Sequence, residues 1–177
     1  HRPTPVDEAK WGFTTIEQTL WNAVPKFIRE LDDLVQENCD KALPLDISPI
    51  RFASWMGGDR DGNPNVTHNI TQEVLWLSRW KATDLYVRDI EDLRWELSIA
   101  ACSDELKQAL GGEHPEPYRE YLRATRTRLK ATRQWLASKL QGQHSDVDRS
   151  LIIRHKDELL QPLLLCYRSL IDSNLPE

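Results

Sequence analysis

Apolar residues recur every three or four positions along most of this chain, and this spacing is the periodicity of an α-helix. Glycine is scarce, with 7 in 177 residues, so few positions favour a break in the pattern. Pro25 removes one backbone donor from the first helical stretch, so we expect a kink near that residue. The sequence therefore predicts a mainly α fold, one helical domain over 1–177, with helices at 7–40, 67–97, 104–110, 116–141 and 154–174.

The overall composition argues against several classes of protein. A net charge of −5 and an isoelectric point of about 5.6 argue against a general nucleic-acid binder. No apolar run approaches the roughly 20 residues of a membrane span, so we do not expect a membrane protein. The three cysteines, at 39, 102 and 166, are far apart, which argues against a disulfide framework and favours a cytoplasmic location.

Residues 50–55, Ile-Arg-Phe-Ala-Ser-Trp, alternate in side-chain type and predict one short β-strand, followed by a glycine-rich loop that reaches residue 66. A lone strand cannot satisfy its own backbone hydrogen bonds. Two possibilities stay open from the residues alone. Either strands outside this chain pair with the segment, or it is extended coil held against helices.

The glycine-rich loop is the strongest candidate for a functional site. Its glycines permit backbone angles that other residues avoid, and Arg60 could donate paired hydrogen bonds to a carboxylate or phosphate. The alternative is a rigid turn in which Asp59 and Asp61 accept backbone amides and Arg60 bridges them. The candidate site residues are Trp55, Met56, Gly57, Gly58, Asp59, Arg60, Asp61, Gly62 and Asn63.

Generic ligand-binding motifs do not fit this loop. An EF-hand counted from Asp59 requires glycine at the sixth place and glutamate at the twelfth, where this chain has Pro64 and Ile70. A phosphate-binding P-loop requires Gly-Lys-Ser/Thr, which does not follow the glycine pair, and the glycine spacing of a dinucleotide-binding turn is also missing. The sequence therefore predicts no metal site in the loop.

The order of strand, loop and helix is typical of one unit of a (β/α)8 barrel, in which the loops after the strands build the active site. Residues 52–67, Phe-Ala-Ser-Trp-Met-Gly-Gly-Asp-Arg-Asp-Gly-Asn-Pro-Asn-Val-Thr, resemble a signature segment of phosphoenolpyruvate carboxylase. Residues 2–12 and 77–85 are similar to the segments on either side of it in bacterial members. From residue 98 onward, the similarity consists of the helical pattern and scattered residues.

The resemblance implies an internal fragment of a much longer enzyme, with one barrel strand and several outer helices. That enzyme is a cytoplasmic homotetramer that joins phosphoenolpyruvate to bicarbonate, releasing oxaloacetate and phosphate, with Mg²⁺ or Mn²⁺. The family's TAHPTE-type and FHGRGG-type segments are absent here. We therefore expect no activity from the fragment alone, no metal bound by it, and no catalytic residue within it.

The resemblance also implies roles for the loop. The family's signature tryptophan lies in an apolar wall beside the substrate and falls on Trp55, although a core tryptophan that caps the barrel strand is the alternative. Arg60 is the residue that we expect to face the anionic substrate. Asp59, Asp61 and Asn63 match the family pattern and are interpreted as parts of the loop architecture.

A different class of function is a free-standing helical module that binds a protein partner. Its basis is the tryptophans Trp76 and Trp80, one turn apart, and a basic stripe at helical spacing. The stripe consists of Arg119, Arg123, Arg126, Lys130 and Arg133. The ordinary interpretation of such a stripe is a solvated helix face with partners on its own helix. The reading frame on both sides of this segment would distinguish the module from the enzyme.

Overall fold

The structure is a computed structural model that describes residues 3–173. Of these residues 67% are helical and none forms a strand, so the mainly α fold is confirmed. The contacts divide the chain into two compact units, residues 1–75 and 76–177.

The first unit begins with helix α1, Pro5–Thr15. Thr4 and Asp7 form a reciprocal cap, in which the Asp7 amide donates to Thr4 Oγ1 at 3.2 Å and the Thr4 amide donates to Asp7 Oδ2 at 3.0 Å. This cap satisfies amides that the first turn of a helix leaves without partners. The helix buries Val6, Ala9 and Phe13.

One π-helical turn, Ile16–Leu20, joins α1 to α2, Trp21–Cys39. The sequence predicted a single helix here with a kink near Pro25. That proline lies inside α2, while the departure from α geometry occurs before α2 begins. Helix α2 ends where Asp40 adopts a left-handed conformation with φ of 51°, and none of its residues is buried.

Residues 50–55 do not form the strand that the sequence predicted. Their backbone is irregular and all six side chains are exposed. A strand needs a neighbour to accept and donate its ladder of hydrogen bonds, and the described part of the chain provides none. Residues 50–55 therefore have the alternating side-chain pattern of a β-strand but do not form one.

The long helix α3, His68–Glu96, starts in the first unit and continues in the second, which also contains α4, Asp104–Leu110, α5, Pro117–Leu140, and α6, Asp157–Asp172. A short 3₁₀ turn, Arg149–Leu151, lies between α5 and α6. Helix α6 begins three residues after the predicted start at 154. The amides of Arg154 and His155 instead donate to Glu158 Oε1 at 2.8 and 2.9 Å, which gives them partners outside a helix.

The core of the second unit is a cluster of apolar side chains contributed by helices α3 to α6 and the segment after α3. One buried polar contact runs through it, because the Tyr118 hydroxyl lies 2.8 Å from Ser169 Oγ and the Ser103 amide donates to the same oxygen at 2.9 Å. The buried members are Val87, Ile90, Leu97, Leu106, Tyr118, Leu122, Leu129, Leu165, Cys166 and Leu170.

Across residues 3–173, we find no helix that combines the length and the apolar character needed to cross a membrane.

Candidate substrate-pocket loop

The candidate loop starts with a tight turn whose backbone is well bonded. The amides of Gly58 and Asp59 both donate to the carbonyl oxygen of Trp55 at 2.9 Å. Gly57 is buried and has φ of 69°, a left-handed conformation that glycine adopts without a steric penalty. The sequence therefore needs glycine at position 57 to make this turn.

The start of α3 holds the turn in place. Thr71 Oγ1 donates to the carbonyl oxygen of Gly57 at 2.6 Å, and Thr71 itself lies in the first turns of the helix. A Cβ atom added to Gly57 would lie 2.6 Å from Cγ2 and 2.8 Å from Cβ of Val74. Glycine at 57 is thus required for its conformation and also for the close approach to α3.

Helix α1 contacts the two residues before Gly57. A Cβ atom on Gly12 would lie 2.5 Å from Met56 Sδ, so the absence of a side chain on the helix leaves room for the half-buried methionine. The indole Nε1–H of Trp55 donates to Glu8 Oε1 at 3.2 Å. We call Glu8, Gly12, Thr71 and Val74 the loop clamp.

Trp55 is held at its backbone and yet presents its ring to solvent, with 69% of the residue exposed. It is not a core residue within this unit, and it does not cap a strand.

The polar half of the loop is exposed. Asp59, Arg60 and Asp61 take part in no ion pair within residues 3–173, so Arg60 does not bridge the two acids as the rigid-turn alternative required. Asn63 is the residue that organises this half, because its side-chain oxygen accepts the Asn65 amide at 3.0 Å. The Arg60 guanidinium is therefore not committed to either acid of the loop.

A cavity of about 830 Å³ lies in the first unit next to the loop. Among residues 3–173, Glu8 is the charged residue that lines it, and Asn63 and Asn65 contribute amides. Trp55 and Arg60 do not line it. Because neither residue lines it, the pocket predicted around Trp55 and Arg60 is not this cavity.

A divalent metal does not fit the residues present. Among residues 3–173, no three His, Cys, Asp or Glu side chains come together in a way that could hold a metal ion. Asp59 and Asp61 are both exposed, and within the described residues they belong to no group of three possible ligands. Carboxylate clusters are what Mg²⁺ and Mn²⁺ prefer in proteins, and the loop does not supply one.

The basic stripe on α5 is paired throughout, and part of the pairing is with α3. Arg126 and Lys130 both bond to Glu91, the latter at 2.9 Å, and Arg133 bonds to Asp84 at 2.6 Å. The hydrogen bond from Lys130, and then that from Arg126, lower the pKa of Glu91. The remaining two arginines, Arg119 and Arg123, pair with Glu116 and Glu120, each three residues before them. The stripe therefore joins helices and is not a free anionic-ligand surface.

Comparison with known proteins decides the family. The family model described as phosphoenolpyruvate carboxylase matches residues 1–176. The chain belongs to the phosphoenolpyruvate carboxylase family. It is 79% identical over 177 residues to the phosphoenolpyruvate carboxylases of Acinetobacter baumannii and Acinetobacter baylyi, and 53% identical over 174 residues to that of Hahella chejuensis. All of this chain aligns to 20% of each Acinetobacter carboxylase, and 98% of it to 19% of the Hahella carboxylase.

The chain thus spans about a fifth of the length of the carboxylases that it matches. The matches include the part after residue 98, where the resemblance consists of the helical pattern and scattered residues. They do not favour a free-standing interaction module.

Sequence reasoning missed the loop clamp. Gly12 carried a usable signal, because a glycine inside an amphipathic helix costs stability and often marks a close approach of another chain segment. Glu8, Thr71 and Val74 carried none, since an acid, a threonine and a valine are ordinary at those places in helices.

Proposed function

We propose that this chain is part of a phosphoenolpyruvate carboxylase, a lyase that joins bicarbonate to phosphoenolpyruvate and yields oxaloacetate and phosphate. The observation that carries the proposal is 79% identity over the whole chain to two proteins of that name. The parent would be a cytoplasmic homotetramer that supplies oxaloacetate to the tricarboxylic acid cycle and responds to allosteric effectors. We expect the 177 residues alone to be inactive.

The proposed reaction proceeds in steps. Transfer of the phosphoryl group from phosphoenolpyruvate to a bicarbonate oxygen gives carboxyphosphate and the enolate of pyruvate. Carboxyphosphate then breaks into carbon dioxide and phosphate, and the enolate carbon attacks carbon dioxide to form oxaloacetate. Because protonation of the enolate would yield pyruvate instead, the site has to exclude water.

In this proposal, Trp55 forms an apolar wall of the substrate pocket. Two features of the loop support this role. The turn at Trp55–Asp59 is fixed by backbone hydrogen bonds and by Thr71, and the indole is nevertheless exposed. A rigid loop that presents a large apolar ring outward suits contact with a bound molecule, because little conformational freedom is lost when the contact forms.

We propose that Arg60 faces the anionic substrate, since its guanidinium takes part in no ion pair within the described residues. The metal that the family implies, Mg²⁺ or Mn²⁺, would be held by parts of the parent beyond these residues, where it would neutralise charge on the reacting phosphate and enolate. Met56, Gly57, Gly58, Asp59, Asp61, Gly62 and Asn63 would shape the loop.

The test is Trp55→Ala in the full-length carboxylase that carries this segment. Loss of the apolar contact should raise the KM for phosphoenolpyruvate about tenfold. Water should then reach the enolate, so pyruvate should appear beside oxaloacetate. Both products are assayed in the same reaction, with a thermal melt of each variant.

The matched control is Trp95→Ala, which removes a tryptophan of the second unit that is 67% exposed and whose ring centroid lies 4.2 Å from the Arg119 guanidinium. This variant should make oxaloacetate alone. If Trp55→Ala also makes oxaloacetate alone, with an unchanged KM, then Trp55 does not line the substrate pocket.

A further inference from the structure

The indole of Trp55 needs something other than packing to fix its direction. With 69% of the residue exposed, few neighbouring atoms restrict rotation about its side-chain torsions. The two hydrogen bonds at its carbonyl oxygen hold the backbone and leave the ring free to turn. The ring has one polar group, the Nε1–H, through which a partner can hold it.

Glu8 is that partner. Its Oε1 accepts the Nε1–H of Trp55 at 3.2 Å, and 47 positions of sequence separate the two residues. Hydrogen bonds to a charged acceptor are stronger than those between neutral groups, so a carboxylate is an effective holder of an exposed indole. Glu8 takes part in no ion pair within residues 3–173 that would compete for this oxygen.

The backbone that carries the Glu8 side chain is itself held in place. Its neighbours in α1 include Ala9, which is fully buried, and Phe13, which is 8% exposed, so the helix is anchored by the packing of its apolar side. The cap formed by Thr4 and Asp7 lies immediately before Glu8. On the next turn of α1, Gly12 makes room for Met56, which keeps the loop close enough for the carboxylate to reach the indole.

We propose that Glu8 is a positioning residue for the carboxylation reaction, which acts through Trp55 by holding the indole in the orientation that closes the substrate pocket. This inference rests on the proposed function, in which Trp55 is a wall of that pocket. Glu8 touches no substrate in it and transfers no proton. Glu8 affects catalysis only by orienting the Trp55 indole.

The experiment uses the full-length carboxylase labelled with 5-fluorotryptophan. The ¹⁹F resonance of Trp55 is identified by its disappearance in Trp55→Phe. In Glu8→Ala, we expect this resonance to shift, the KM for phosphoenolpyruvate to rise about threefold to tenfold, and pyruvate to appear as a minor product.

Two variants separate positioning from general effects on α1. Glu8→Gln removes the charge from the first turn of the helix but keeps an oxygen that accepts the indole N–H. Its KM for phosphoenolpyruvate should therefore stay within about twofold of that of the parent. Glu30→Ala removes an exposed acid of α2, whose Oε1 lies 3.7 Å from Lys26 Nζ, and should change neither the resonance nor the products.

A double-mutant cycle completes the test. In a Trp55→Phe background, no N–H remains for Glu8 to hold, so Glu8→Ala should add nothing to the change in KM. If the effects of Glu8→Ala and Trp55→Phe on the KM are fully additive, the inference is overturned. It is also overturned if Glu8→Ala shifts the Trp55 resonance but leaves the KM and the products unchanged. An unmoved Trp55 resonance in Glu8→Ala overturns it even if Trp55→Ala releases pyruvate, which distinguishes this failure from failure of the proposed function.

Discussion

The two units of the chain are stabilised in different ways. The second unit has a continuous apolar core in which Leu106, Tyr118, Leu122 and other side chains are fully buried. In the first unit, α2 buries no residue, and large apolar side chains such as Phe27, Phe52 and Trp55 are exposed. The first unit nevertheless contains the loop with the candidate site residues.

The difference shows that the loop is ordered by a few specific contacts and not by a large core. Gly57 is held by one hydrogen bond from Thr71 and by close packing on Val74, and Met56 fits against Gly12. Each of these contacts depends on the identity of one or two residues. Single substitutions in the first unit should therefore act on the site, whereas those in the second unit should act on overall stability.

The largest expected effect is on the core of the second unit. Leu122→Ala should lower the free energy of unfolding by about 2–5 kcal/mol, because Leu122 has no exposed surface and its truncation leaves a cavity. Phe27→Ala in the first unit, where 48% of the residue is exposed, should lower it by less than about 1 kcal/mol. Urea denaturation of both variants provides the measurement, and equal losses would contradict the comparison.

An intermediate effect is expected for Gly57→Ala. The substitution combines a left-handed backbone with a Cβ atom 2.8 Å from the Val74 Cβ, and should cost about 2–4 kcal/mol. Gly142→Ala is the matched control, because Gly142 has φ of 65° but no atom within 4 Å of the place that an added Cβ would take, so about 1 kcal/mol should be lost. Amide hydrogen exchange should show faster opening of residues 55–58 in the first variant alone. A similar loss of unfolding free energy in Gly57→Ala and Gly142→Ala would mean that the contact with Val74 does not contribute to the effect.

The smallest effect is expected at an ion pair of the second unit. A hydrogen bond from the Arg154 backbone amide, and then the bond from the Arg128 side chain, lower the pKa of Glu158 from 4.5 to about 2. Because the folded state lowers this pKa, the carboxylate stabilises the fold above pH 4.5, and the stabilisation is lost as the pH falls towards 2. At about pH 7, Glu158→Gln should therefore have a lower melting temperature than the parent. The difference between the two melting temperatures should narrow below pH 4.5. A gap that is independent of pH would exclude ionisation as its cause.

Short-range signals in the sequence were sufficient for some elements. Helix α4 lies between Ser103, whose hydroxyl accepts the Leu106 amide at 3.3 Å, and Gly111, which adopts a left-handed conformation with φ of 79°. Both are residues that favour the ends of helices in any context. The residues of the candidate loop could also be named from the sequence, since their family pattern is local, but their role stays a prediction.

Other features depend on neighbours that the sequence does not identify. Residues 50–55 have the alternation of a strand, but strand formation is decided by partners elsewhere. Arg126, Lys130 and Arg133 follow helical spacing, yet their acidic partners lie on α3, some 35 to 49 positions earlier. The contact between Glu8 and Trp55 has the same character, because no local rule pairs an acid on one helix with a distant indole.

The π turn at Ile16–Leu20 sets the direction in which the apolar face of α2 points relative to that of α1. Each residue of an α-helix advances by about 100° around the axis, so one residue more or fewer in this turn would rotate all of α2 by about that angle. The side of α2 that carries Val24, Ile28, Leu31 and Val35 would then point in a different direction. Substitutions at the exposed positions of α2 should change stability little, whereas a single-residue insertion or deletion between α1 and α2 should be disruptive.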